Sequence, residues 1–151
     1  MKRPKTKKKP KHITHKLFFF NLPIYDREIC VVVGMTHSQA VAAAKKQKCT
    51  KSFVEALNWE SAKELCDKVA DRESQAYGAA VRVNDDRYFL FLRPYKNDWK
   101  YLDTLNHECF HLTQFISMPL KLWDDVEPPA YLHAWLVKQL RRILSGQKKL
   151  E

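Results

Sequence analysis

Apolar residues along this chain follow two rhythms. Lys16–Phe20 and Glu28–Val33 are rich in aromatic and β-branched residues. They predict two strands, joined as a hairpin by the turn chemistry of Asn21-Leu22-Pro23 and Asp26. The pattern then turns helical. Thr36 or Ser38 can cap a helix through Ala40–Lys46, and Phe53–Leu57 predicts a short one. Trp59, Ala62, Leu65, Cys66 and Val69 recur at helical spacing, which predicts a helix over Asn58–Asp71. Strand patterning returns at Gly78–Val83 and Arg87–Arg93, around the tight-turn signal Asn84-Asp85-Asp86, and Pro94 ends the second strand. Asn97 or Asp98 starts a helix to about Ser117, and Pro128-Pro129 open a last helix to about Ser145-Gly146. Strands, then helices, a hairpin and two more helices make an α+β domain with a small antiparallel or mixed sheet.

Length adds one constraint: 151 residues fit one domain with a real core. Charge adds another. The net charge is +10, but residues 1–16 hold eight of the 27 Lys and Arg and no acid. The other 19 basic residues face 17 acidic ones, so the body is close to neutral. Residues 1–14 read as a disordered basic tail, followed by a single domain over 15–146. Only Leu17–Phe20 follows the charged start as an apolar run, against the roughly 7–15 residues a signal peptide needs. No run approaches the ~18 needed to span a membrane. Cys30, Cys49, Cys66 and Cys109 show no paired spacing, which favours buried reduced thiols over disulfides. These features predict a soluble, cytoplasmic protein without a membrane partner.

The chemistry concentrates at His107-Glu108-Cys109-Phe110-His111. At about 100° per residue, His107 and His111 stack one turn apart, so both imidazoles can reach one metal ion. Glu108 is placed to touch a water on that metal without ligating it. Tyr101, Leu102, Leu105, Cys109, Leu112 and Ile116 share the other side, which makes Cys109 a packing residue despite its place in the motif. A tetrahedral catalytic zinc needs a third protein ligand. Asp124, Asp125, Glu127 and His133 are the downstream candidates. Glu127 is preferred because it opens the last helix shortly after the motif, and Ala130 is small enough to let two helices approach. Asp124 and Asp125 suit capping or orienting a ligand imidazole. His133 lies about 120° around the helix from Glu127 and suits packing. Tyr131 is about 40° from Glu127 on the wheel; its phenol can stabilise an oxyanion, with a packed tyrosine as the alternative.

His107-Glu108-x-x-His111 followed by Glu127-x-x-Ala130 resembles the gluzincin branch of the zincin metallopeptidases, above all the small single-domain forms of phages and prophages. The resemblance covers about residues 75–140, and a strand such as Tyr88–Leu92 ending before the motif helix belongs to it. It implies a minimal zincin-like domain with an active-site helix and a C-terminal ligand helix, working in the cytoplasm of a host cell. His107, His111 and Glu127 would bind Zn2+, and Glu108 would be the general base hydrolysing a protein or peptide substrate. Pro128-Pro129 after Glu127 departs from the pattern by placing Glu127 at the helix boundary. Substrate backbone would add to an exposed strand, for which Arg87–Arg93 is the candidate. The alternative class is a non-catalytic zincin-like or DNA-associated regulatory protein whose Lys-rich tail makes nonspecific nucleic-acid contacts. The body itself carries no base-reading motif.

Overall fold

The structure, a computed structural model, describes residues 2, 11–22, 27–84, 87–118 and 127–147, without the side chains of 127 and 128. Four strands form one mixed sheet: β1 (Lys16–Leu22), β2 (Arg27–Val33), β3 (Gly78–Arg82) and β4 (Arg87–Leu92), in the order β1-β2-β4-β3. β1–β2 and β3–β4 pair antiparallel, as their turn residues predict, whereas β2 and β4 pair parallel. The helices between β2 and β3 are α1 (His37–Lys46), α2 (Lys51–Leu57) and α3 (Glu60–Ala70); α4 (Trp99–Ser117) and α5 (Glu127–Leu144) follow the sheet. The architecture is α+β.

The central strands explain the unbroken apolar runs. Ile29, Val31 and Val33 of β2 join Tyr88, Leu90 and Leu92 of β4 in a core with α4 and α5. Cys30, Val32, Phe89 and Phe91 face the opposite core, with α1, α2 and α3. A strand buried on both faces has no polar side to alternate with. α5 meets the first core with Leu132, Leu136, Leu140 and Leu144, one residue per turn.

Local chemistry sets the helix ends. Thr36 caps α1 in a reciprocal capping box with Gln39, and Thr50 caps α2. α3 differs from expectation at its start. Trp59 is its N-cap rather than part of its apolar stripe and is 48% exposed, since α2 ends at Leu57 and the chain bends at 58–59. Asp98 caps α4, accepting from Tyr101 N at 2.8 Å. Gly146 (φ +78°) ends α5: its N–H donates to Ile143 O, and Gln147 N–H donates to Arg142 O, the paired bonds of a Schellman cap.

Contacts begin before residue 15. Ile13 N donates to Leu144 O (2.8 Å), Ile13 O accepts from Tyr95 N (3.1 Å), and His12 meets Tyr95 edge-on. Residues 11–14, assigned to the tail by their composition, therefore lie against the domain. The turn expected at Asp85-Asp86 and the linker residues Asp124 and Asp125 lie outside the described residues. All four cysteines are free thiols, with Cys30, Cys66 and Cys109 buried. No described helix is long and apolar enough to cross a membrane.

Gly34, where β2 turns toward α1, has φ +65°, and a Cβ there would run into the Thr14 carbonyl oxygen and reach Pro94 Cγ at 3.1 Å. Gly34→Ala is expected to lower unfolding stability by about 1–3 kcal/mol, read from the urea midpoint at unchanged m-value.

Candidate metal centre and its edge strand

The rotation of α4 about its axis decides where the motif points. Leu105, Cys109, Leu112 and Ile116 are fully buried against the sheet, and Tyr101 adds a hydrogen bond from its hydroxyl to Arg93 O (2.8 Å). Cys109 is a packing residue, as the helical wheel implies. With that stripe inward, His107 is exposed and His111 partly so, on the far side of the helix.

The two imidazoles converge. His107 Nε2 and His111 Nε2 lie 3.1 Å apart, their rings edge to face at 4.7 Å between centroids. Without a metal, one of these nitrogens must carry a proton toward the other's lone pair. Two nitrogens on a tetrahedral zinc, each at about 2.0–2.1 Å, sit about 3.3 Å apart. The observed spacing is within a few tenths of an ångström of that value. Phe115 stacks beside His111, and Phe110 meets both His111 and His133 edge-on, giving the pair an aromatic flank.

Glu108 faces a different neighbour. It is 8% exposed, and its Cγ and Thr104 Cγ2 both lie 3.1 Å from where a Cβ on Gly78 would stand. Only a residue without a side chain lets β3 come so close to α4. Val83 N–H pairs with Arg87 O, so by alternation Gly78, Ala80 and Arg82 turn their peptide groups away from β4. The Ala80 N–H spends this outward bond on the Glu108 carboxylate. Burial raises the Glu108 pKa above the usual carboxylate value, while the charges of His107 and His111 and the Ala80 bond pull the other way. The result is a partly desolvated carboxylate held by a strand edge beside two imidazoles, an arrangement suited to a general base.

β3, not β4, is the strand available for backbone pairing here. β4 lies between β2 and β3 with both edges taken, so Arg87–Arg93 cannot accept an added strand. The Gly78-Ala79-Ala80 run was the available signal: small residues on a strand mark the close approach of another element.

The other candidates separate. Glu127 opens α5, but its side chain lies outside the described residues. Among the described residues no group of three His, Cys, Asp or Glu converges on a point. His133 donates from Nε2 to the Asn106 carbonyl (3.0 Å), pinning α5 to α4, which agrees with a packing role. Tyr131 is 71% exposed and is not a packed tyrosine. Ala130 is also exposed; Pro129 and Leu132 are the buried residues there, so the small side chain is not what brings the helices together.

Comparisons of the chain with protein-family models, curated proteins and solved structures give no match.

The raised pKa has a stability consequence. A carboxyl whose pKa is higher in the folded than in the unfolded state favours folding at low pH, and that contribution is lost as pH rises through the folded value. Glu108→Gln keeps an acceptor for the Ala80 N–H and removes the ionised form. The metal-free variant is expected to melt above the metal-free parent at pH 7, with the gap closing below about pH 4, where the parent is protonated in both states. Melting curves across pH, both proteins in chelator, check this.

Proposed function

We propose that this protein is a zinc-dependent metallopeptidase. The observation that carries the reading is the facing Nε2 pair of His107 and His111 beside a carboxylate, Glu108, bonded to the edge strand β3. Imidazole donors at this spacing suit zinc in both softness and geometry. Glu127 at the start of α5 is the proposed third donor. When bound, the zinc ion supplies a Lewis acid for the scissile carbonyl and brings the pKa of water toward about 7.

The remaining chemistry belongs to the chain. Glu108 takes a proton from the attacking water and delivers it to the departing amine. Burial holds its pKa above the usual carboxylate value, which favours taking up the proton that it must later pass on. The Ala80 N–H holds the carboxylate, and the outward N–H of Gly78 with the carbonyls of Gly78 and Ala80 aligns substrate backbone as an added strand. Tyr131, exposed on α5, is the proposed oxyanion donor. Four free thiols fit a reducing compartment such as the cytoplasm.

A second reading, DNA association through the basic tail, draws on the basic residues around Lys11 and His12. Lys11 O lies against Gly146 at the end of α5. Beside it is a cleft lined by His12, Lys138, Arg141 and Arg142. Lys11 and His12, the described residues that follow the basic run, thus lie beside the basic last turn of α5. This is compatible with the peptidase reading, with the tail bringing the enzyme to nucleic-acid-bound targets.

Elemental analysis should find one zinc per chain in the parent and none in the His107→Ala, His111→Ala double variant. Glu108→Gln should keep its zinc while peptide hydrolysis falls by at least about 10²–10⁴-fold. Full activity in Glu108→Gln would reject the mechanism. Deleting residues 1–10 should weaken duplex DNA binding and flatten its dependence on salt. Unchanged binding and slope would remove the tail from DNA contact.

A further inference from the structure

Upstream of the motif, α4 walls a second cavity of about 400 Å³. Arg72, Arg93, Lys96 and Lys100 bring four cations to it, and Tyr77 and Thr104 complete the side nearest the motif. Its acid, Asp98, is occupied as the α4 cap, accepting from Tyr101 N. Among the described residues, no carboxylate forms an ion pair with any of the four cations.

The pocket is built rather than merely charged. Two cations approach the Tyr77 ring, Arg93 Cζ and Lys100 Nζ each 4.3 Å from its centroid. Lys100 Nζ also donates to the Tyr77 hydroxyl at 2.8 Å. Arg93 is fixed by donation to the carbonyl oxygens of Val69, Asp71 and Ser74, all neutral acceptors. Like charges gathered side by side raise the local positive potential, which favours an anion placed among them.

Its position says which anion. Tyr77 is followed directly by Gly78, the residue under Glu108 and Thr104, so pocket and motif share the rim formed by β3 and α4. Lys100 precedes Glu108 by eight residues, about 12 Å along the helix. An extended chain at about 3.3 Å per residue covers that distance in three to four residues.

We propose that this pocket binds a carboxylate of the peptide held on the β3 edge, supplied either by an Asp or Glu side chain about three residues from the scissile bond or by the peptide's free C-terminus. The proposal rests on the peptidase reading for its substrate class. Its test reads binding first, and hydrolysis rates then separate its failure from that of the peptidase.

Metal-free Glu108→Gln protein is titrated with three synthetic peptides by calorimetry. One carries a Glu and an amidated C-terminus, one is neutral and amidated, and one is neutral with a free C-terminal carboxylate. At least one carboxylate peptide should bind about tenfold tighter than the neutral amide, and which one does identifies the source. Lys100→Glu and Arg72→Glu, both on exposed side chains, should each abolish the preference with circular dichroism unchanged. Deleting residues 1–10 should leave the preference intact. Equal binding of all three peptides overturns the proposal, as does a preference that survives both charge reversals or vanishes with the tail. Hydrolysis of neutral and acidic peptides at equal rates by the zinc-loaded parent would leave the peptidase standing and the pocket refuted. Carboxylate preference in a protein that never hydrolyses peptide would do the reverse.

Discussion

Burial of β2 and β4 on both faces is the constraint from which the other features follow. A parallel pair of strands with apolar side chains above and below must be covered twice. The chain meets that demand with α1, α2 and α3 on one side and α4 and α5 on the other. With β2 and β4 in the middle, β1 and β3 become the edges. α4 then crosses the sheet beside β3, its buried stripe turned inward and His107 and His111 necessarily outward. The imidazole pair is thus a by-product of how the core is closed, held in orientation by residues that do no chemistry.

That orientation is reached at a local cost. Glu108 is held where water is scarce, and among the described residues the Ala80 N–H and the neighbouring imidazoles offset its lost hydration. A leucine or methionine would fill the same volume with less opposition from the fold. Such discord between a side chain and its surroundings is typical of sites where reactivity is selected over stability. Gly78 shows the same logic in the backbone: a strand interior gives up a side chain so that a carboxylate and a threonine can sit on it.

Much of this was legible in the residues, for identifiable reasons. The strands were readable because aromatic and β-branched runs have few other uses, and α4 because its cap, apolar stripe and following Met-Pro step agree. The start of α3 is hidden because Trp59 fits a helical apolar pattern by spacing, whereas a cap position is decided by the bend after α2. Strand order was hidden. Nothing in Arg87–Arg93 says whether its neighbours are protein or solvent, so its residues suit an edge strand, whereas β3 holds the edge. The imidazole pair followed from helical geometry alone, because both partners lie on one element. The Ala80 contact and the cations around Tyr77 come from separate elements, and spacing along a chain cannot reveal what packing brings together.

Ile13 joins the last helix to the segment that launches α4, with its N–H on Leu144 and its carbonyl on Tyr95. The segment around Ile13 and the last turn of α5 therefore meet. Ends that are neighbours can be linked, or opened elsewhere, with little disturbance to what lies between. The domain is accordingly well shaped to be carried as an insert within a larger polypeptide or to be circularly rearranged, with the strand order and the paired imidazoles passing through either change intact.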